Sequence, residues 1–166
     1  MNVVGVPERE PAVLEVGLLG GGDTSDITFH SKIRAPFSLS GLSSNQRRAI
    51  NWATSRSGVE WDSSNSLPTI NDFGTTLREI VEQYRVARII TKGSNQKRIL
   101  QNLLEGRHVT VISGEELGMP SFSLMTDAFP FLCCEWHVEK SPSIARYCSL
   151  HRAAQLKHCY DNFGLQ

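Results

Sequence analysis

The chain has 166 residues, with 17 basic and 17 acidic side chains, 40% apolar residues and four cysteines. Zero formal net charge leaves no global field to draw in nucleic acid, so any such binding must rest on a local basic patch. Length and composition suit one ordinary domain, residues 1–166, with a proper core; no run of 18 apolar residues and no apolar segment after a basic start is present, so we expect no membrane span, no signal peptide and an intracellular protein.

"NVVGV" (2–6) reads as a short strand, followed by a polar turn (7–11) that contains two prolines. "AVLEVGLL" (12–19) is a nearly continuous apolar run, the pattern of a buried central strand. After a glycine-rich turn (20–26), "ITFHSKI" (27–33) alternates as a half-buried third strand. These three strands suggest an antiparallel meander. Ser43 is placed to cap a helix with Ala49, Trp52 and Ala53 on its core face. A loop (57–68) leads to Thr69-x-x-Asp72, a capping-box pattern, and to Ile70, Phe73, Leu77, Ile80 and Tyr84 at helical spacing. A strand is expected over 87–91, a helix from Ser94 carrying Ile99, Leu100, Leu103 and Leu104, a strand over 108–112, and a turn or short helix over 115–121. A final helix opening at Cys148 should bury Ala153, Leu156, Tyr160 and Phe163. This order is that of an α/β, ribonuclease H-like fold: a mixed five-stranded sheet, antiparallel meander plus parallel strands, with helices on both faces.

Nucleases of this fold hold two metal ions with several carboxylates. The first strand here has none, and Asn2 stands near where an aspartate is expected. The stretch "RIITKGSNQKRIL" (88–100) has none either. Asp161 has no companion, and Asp62, Asp72 and Asp127 are scattered. We therefore expect no magnesium-dependent exonuclease activity.

The cysteines cluster late, with none before residue 133. In an unsecreted chain this distribution favours metal binding or core thiols over a disulfide frame. Cys134-x2-His137-x10-Cys148 supplies three metal ligands of zinc type. Two residues compete for the fourth place. Glu15 is the only charge in its apolar strand, and a buried carboxylate is costly unless paired or bound to a cation; the alternative is a carboxylate that faces solvent or pairs with an arginine. His151 would instead close a Cys-His-Cys-His site. Cys159, eleven residues past Cys148 along a helix, is roughly 16 Å away and too distant for the same ion. Cys133 is expected to point away from the site.

A glutamate on the second strand, then Cys-x2-His, then a cysteine opening the last helix resembles the Glu-Cys-His-Cys motif of the Maelstrom domain. "EVGLL", "RIITKGSNQKRIL", "EELGMPS" and "CSLHRAAQL" are also similar to segments of a group of exonuclease-like proteins. The resemblance implies a ribonuclease H-like domain that lost its catalytic carboxylates, Asn2 marking one of them, and gained a structural zinc held by Glu15, Cys134, His137 and Cys148. It further implies binding of single-stranded RNA, a role in small-RNA (piRNA) silencing, and a cytoplasmic (perinuclear) or nuclear location. The HMG box that usually accompanies the domain is absent from this sequence.

Arg47, Arg48, Lys92, Lys97 and Arg98, with Arg107 beside them, are the candidate phosphate contacts. Lys92-Gly93 follows an apolar strand, but "KGSNQK" lacks the spacing of a P-loop. Trp61, in a loop, is the preferred stacking residue; Trp52 is assigned to the core and Trp136 to shielding the metal. Two other classes stay open at this point. One is a weak, metal-independent ribonuclease that uses a histidine such as His30 or His108 as acid or base. The other is a protein-interaction module with no nucleic-acid function.

Overall fold

A computed structural model of the chain describes residues 1–125, 132–139 and 142–162; Asp127 and Phe163, named above, lie outside them. Three strands, β1 (Asn2–Val4), β2 (Ala12–Leu19) and β3 (Thr28–Lys32), form an antiparallel sheet in the order β1-β2-β3. Two more, β4 (Arg88–Thr91) and β5 (Thr110–Ser113), pair in parallel. Six α-helices, α1 (Ser44–Ser57), α2 (Ile70–Gln83), α3 (Ser94–Leu103), α4 (Glu135–Val138), α5 (Pro142–Ala145) and α6 (Ser149–Asn162), and one turn of 3-10 helix (Gly22–Thr24) complete the described chain. No helix among the described residues is long and apolar enough to cross a membrane.

The helix starts follow from local chemistry. Ser43 accepts from the backbone N–H of Gln46, whose side chain bonds back to Ser43, and Thr69 and Asp72 repeat the exchange ahead of α2. Each reciprocal pair satisfies two N–H groups that the first turn cannot bond internally. α2 then buries Phe73, Leu77 and Val81 at four-residue steps against Val13, Val16 and Ile33 of the meander and Leu100 of α3. At ~1.5–3 kcal/mol per buried large apolar side chain, this stripe is a main stabiliser of the α2 side. A second cluster joins Val4, Ala12 and Leu14 to Ile50 of α1 and to Val59.

The expected five strands are present, but they do not form one continuous sheet among the described residues. β1 is three residues long, with a register shift between Asn2 and Val3, and no ladder joins it to β4. A cleft of about 400 Å³ lies between the two sheets, lined by Gly17–Leu19 on one side and by Ala87–Thr91 on the other.

Two helix faces also differ from expectation. α1 buries Gln46, Ile50 and Ser57, and Trp52 is 61% exposed. Trp52 is two residues from Ile50, about 200° around the helix, so both cannot face the core. α6 buries Leu150, His151, Ala154, Gln155 and Cys159, leaving the stripe Ala153, Leu156 and Tyr160 half-buried along the cleft. Contact with β2 fixes that rotation: a Cβ on Gly17 would lie 2.5 Å from the backbone nitrogen of Leu150. Only a glycine on β2 lets the first turn of α6 sit directly on the strand.

Candidate metal centre

Side chains alternate across a strand, so Glu15 and Gly17 of β2 face α6 while Val16, between them, joins the core on the α2 side. Glu15 is therefore fully buried on the surface where α6 begins. Cys134 is the N-cap of α4, and His137 lies within that single turn. Cys148 directly precedes α6, and its carbonyl accepts from the N–H of Arg152, the first bond of the helix. Cys148 thus stands at the N-terminus of a fourteen-residue helix, where partial positive charge favours thiolate.

One ligand atom each from Glu15, Cys134, His137 and Cys148 lies within 4.8 Å of all the others. His137 Nδ1 is 3.1 Å from Cys134 Sγ and 3.2 Å from Glu15 Oε1. A tetrahedral ion with bonds of ~2.0–2.3 Å has ligand-to-ligand edges of about 3.3–3.8 Å, so small adjustments would seat it. Glu15 and His151 were the rivals for the fourth place, and the geometry brings Glu15 in. His151 is fully buried in α6, and it is not one of the four converging groups.

The outer bonds match a metal site. His137 Nε2 is 3.0 Å from the carbonyl of Ser57, an arrangement in which Nε2–H donates and Nδ1 presents its lone pair to the centre. Glu15 Oε2 accepts from the N–H of Ser149 at 3.1 Å and from the Asn2 amide. The second Asn2 hydrogen reaches the carbonyl of Tyr147 at 2.8 Å. His30 Nε2 sits 2.7 Å from Glu15 Oε1, which leaves that oxygen one remaining lone pair, directed to the centre. Asn2 is thus a donor to a ligand. An aspartate in its place would set two carboxylates against each other and leave Tyr147 without its bond.

Electrostatics within the protein alone point the same way. Burial disfavours the charged form of Glu15, but bonds from His137 and His30 more than offset it and hold the carboxyl at about 2. Burial likewise opposes charge on the two histidines. Bonds to Cys148 and Glu15 overcome it, raising His137 to about 11 and His30 to about 9. The Cys148 thiol falls to about 5, because the two imidazoles outweigh its desolvation. Burial raises the Cys134 thiol. Protonated imidazole therefore supplies the positive charge that the anionic donors require, and a divalent cation entering the cluster replaces protons.

Sequence reasoning missed several neighbours of this centre. His30 was noted only as a candidate acid or base; it is a diagonal cross-strand neighbour of Glu15, since β2 and β3 pair Glu15 with Lys32 and Gly17 with His30. Cys133 does not point away: its sulfur lies 3.9 Å from the Ala145 carbonyl, within hydrogen-bonding reach of Cys148, and burial first, then the neighbouring sulfurs, push its thiol up to about 12. Cys159 is buried elsewhere, against Met119 and Met125. Trp136 packs edge-on to His137 at 4.5 Å between ring centres, with the Lys32 ammonium 3.7 Å above its ring, so it does cover the centre.

Lys92 is 3.2 Å from Glu115, Lys97 is 2.6 Å from Glu116 and Arg98 is 2.8 Å from Glu10, so each meets a carboxylate. Arg107 pairs with Glu82. Arg47 and Arg48 are exposed on α1. Trp61, the expected stacking residue, packs against Phe37 and donates its indole N–H to the Phe37 carbonyl at 2.9 Å. No family model matches the chain, and comparisons with curated proteins and with solved structures return no match.

Proposed function

We propose that the protein carries one structural Zn2+ held by Glu15, Cys134, His137 and Cys148, in a nuclease-derived, ribonuclease H-like domain that binds single-stranded nucleic acid, RNA in particular, in small-RNA silencing. The observation that carries the metal reading is the four-donor cluster with its outer bonds already made. Two thiolates and an imidazole suit zinc better than magnesium or calcium, which take oxygen donors. Four protein ligands close a tetrahedral ion and leave no position for a reacting water, so the metal is architectural.

The engagement of Asn2 supports the view that this is not a two-metal nuclease. The residue at the start of β1 is a neutral donor bound to Glu15, and it has no carboxylate to offer a hard cation. The RNA reading rests on the likeness of the Glu-Cys-His-Cys spacing to that of the Maelstrom domain. Its test has three arms: zinc content of purified protein, binding of labelled single-stranded RNA at two salt concentrations, and cleavage with magnesium or with EDTA. We expect about one zinc per chain, salt-sensitive binding and no magnesium-dependent digestion. A folded, zinc-free protein removes the metal reading. Absence of binding at low salt removes the RNA reading and leaves a protein-interaction module. Cleavage that survives EDTA assigns a metal-independent ribonuclease.

A further inference from the structure

α1 presents a surface that the metal centre does not use. Its fourteen residues include Arg47, Arg48 and Arg56 and no aspartate or glutamate. None of the three arginines forms an ion pair among the described residues, in contrast to Lys92, Lys97 and Arg98. Arg48, Trp52 and Arg56 follow at four-residue steps, so they share one stripe, about 12 Å long. Trp52 is the most exposed of the tryptophans, and the Arg56 guanidinium lies 4.8 Å from the centre of its ring. Beside this stripe runs an open groove of about 670 Å³ lined by Val3, Pro7, Asn45, Arg48, Ala49 and Trp52.

We propose that this face of α1 is the single-stranded RNA interface, with a base stacked on the Trp52 indole and phosphates set against Arg47, Arg48 and Arg56. The inference rests on the RNA reading above and names the surface that performs it. The chemistry favours nucleic acid over an apolar partner. Three unneutralised guanidinium groups on one helix repel a basic or neutral surface and attract a polyanion. A lone exposed indole flanked by arginines offers a stacking platform for any base, and the open groove lets unstacked bases lie along it. A zero net charge is then no obstacle, because the positive charge is gathered on α1.

The test is fluorescence anisotropy of a labelled oligouridine, at two salt concentrations, with wild-type protein, Trp52→Ala, Arg48→Ala and the double variant Lys97→Ala/Arg98→Ala. The altered side chains are partly or fully exposed, and matched melting curves and zinc content confirm the fold. Trp52→Ala should weaken binding about 5-fold to 150-fold without changing its salt dependence, the loss of one stacked base. Arg48→Ala should weaken binding and lower the salt slope by about 1. The Lys97/Arg98 variant should bind as wild type. If wild type binds and both α1 variants match it, the interface lies elsewhere and this inference fails while the RNA reading stands. If wild type fails to bind oligouridine but binds an acidic peptide through the same residues, the RNA reading itself has failed, and this inference falls with it.

Discussion

Replacing Glu15 by glutamine is the sharpest probe of the metal centre, because it keeps the shape of the side chain and removes its charge and half its acceptors. Glu15 Oε2 takes bonds from Asn2 and from Ser149 N–H, while Oε1 faces His30 and His137. In Glu15→Gln the amide oxygen can serve one side only. If it faces the metal, the NH2 group points at two N–H donors, from Asn2 and Ser149, whose bonds to Oε2 are then lost. If it faces those donors, the NH2 group points at the ion. Two buried donors orphaned at ~1–3 kcal/mol each give a cost of about 2–6 kcal/mol. For a domain of this length ~1 kcal/mol moves the melting point by about 2–4 °C, so Tm should fall by roughly 4–24 °C. Zinc should bind more weakly as well, since a neutral ligand replaces an anion. The assay is paired: metal content by mass spectrometry, and thermal unfolding of zinc-loaded and chelated samples. The Tm gap between wild type and variant should be larger in the loaded pair than in the chelated pair, because the variant loses metal linkage in addition to local bonds. A variant that keeps one zinc per chain and its loaded Tm would refute the assignment of Glu15 as a ligand.

Other substitutions separate metal binding from packing. His151→Ala should keep zinc content unchanged yet lower stability by ~1–3 kcal/mol, since the side chain is fully buried but not among the four donors; loss of zinc in this variant would restore the Cys-His-Cys-His alternative. Gly17→Ala should lower zinc content and destabilise the fold by ~1–3 kcal/mol, because its Cβ must push the first turn of α6, and Ser149 with it, off Glu15; calorimetry with zinc titration reads both. The pH dependence of the chelated protein tests His30, whose imidazole is raised to about 9 beside Glu15. A raised folded pKa stabilises fully below the unfolded value of ~6.5 and is lost as pH climbs through the folded one. Urea midpoints should therefore show His30→Ala costing most near pH 6 and progressively less above about pH 9; an equal cost at both would remove the charged pairing.

The sequence made the ligands easier to read than their surroundings. Glu15 stood out because a charge inside an apolar strand demands an explanation, and Cys134, His137 and Cys148 carry familiar spacing. β2 was legible to the residue, since a nearly continuous apolar run has sharp ends, and the Ser43 and Thr69 caps were legible from single side chains. What stayed hidden depends on pairing across the chain. Asn2 and His30 meet Glu15 only once the meander is in register, and no local pattern encodes a diagonal pair. α4 and α5 are four residues each, too short for any periodicity to register. Trp52 misleads for a different reason. α1 has few apolar residues, so a large ring reads as core although Ile50, with Ala53 packed against the same cluster, anchors the helix.

The distribution of the ligands along the chain sets a timetable for assembly. Glu15 and the backbone N–H of Ser149 that steadies it are 134 residues apart. At ~5–20 residues per second, ribosomal synthesis needs on the order of ten seconds or more to pass from one to the other. During that interval the nascent meander can hold Glu15 with His30 and Asn2, an oxygen-and-nitrogen cluster that lacks sulfur and so attracts soft metals poorly. A metal ion can meet all four groups only after Cys134 and Cys148 are made, by which time the residues of α1, α2 and both sheets have been synthesised. An ion held by these four groups would therefore be recruited last, as a latch that ties β2 to the start of α6.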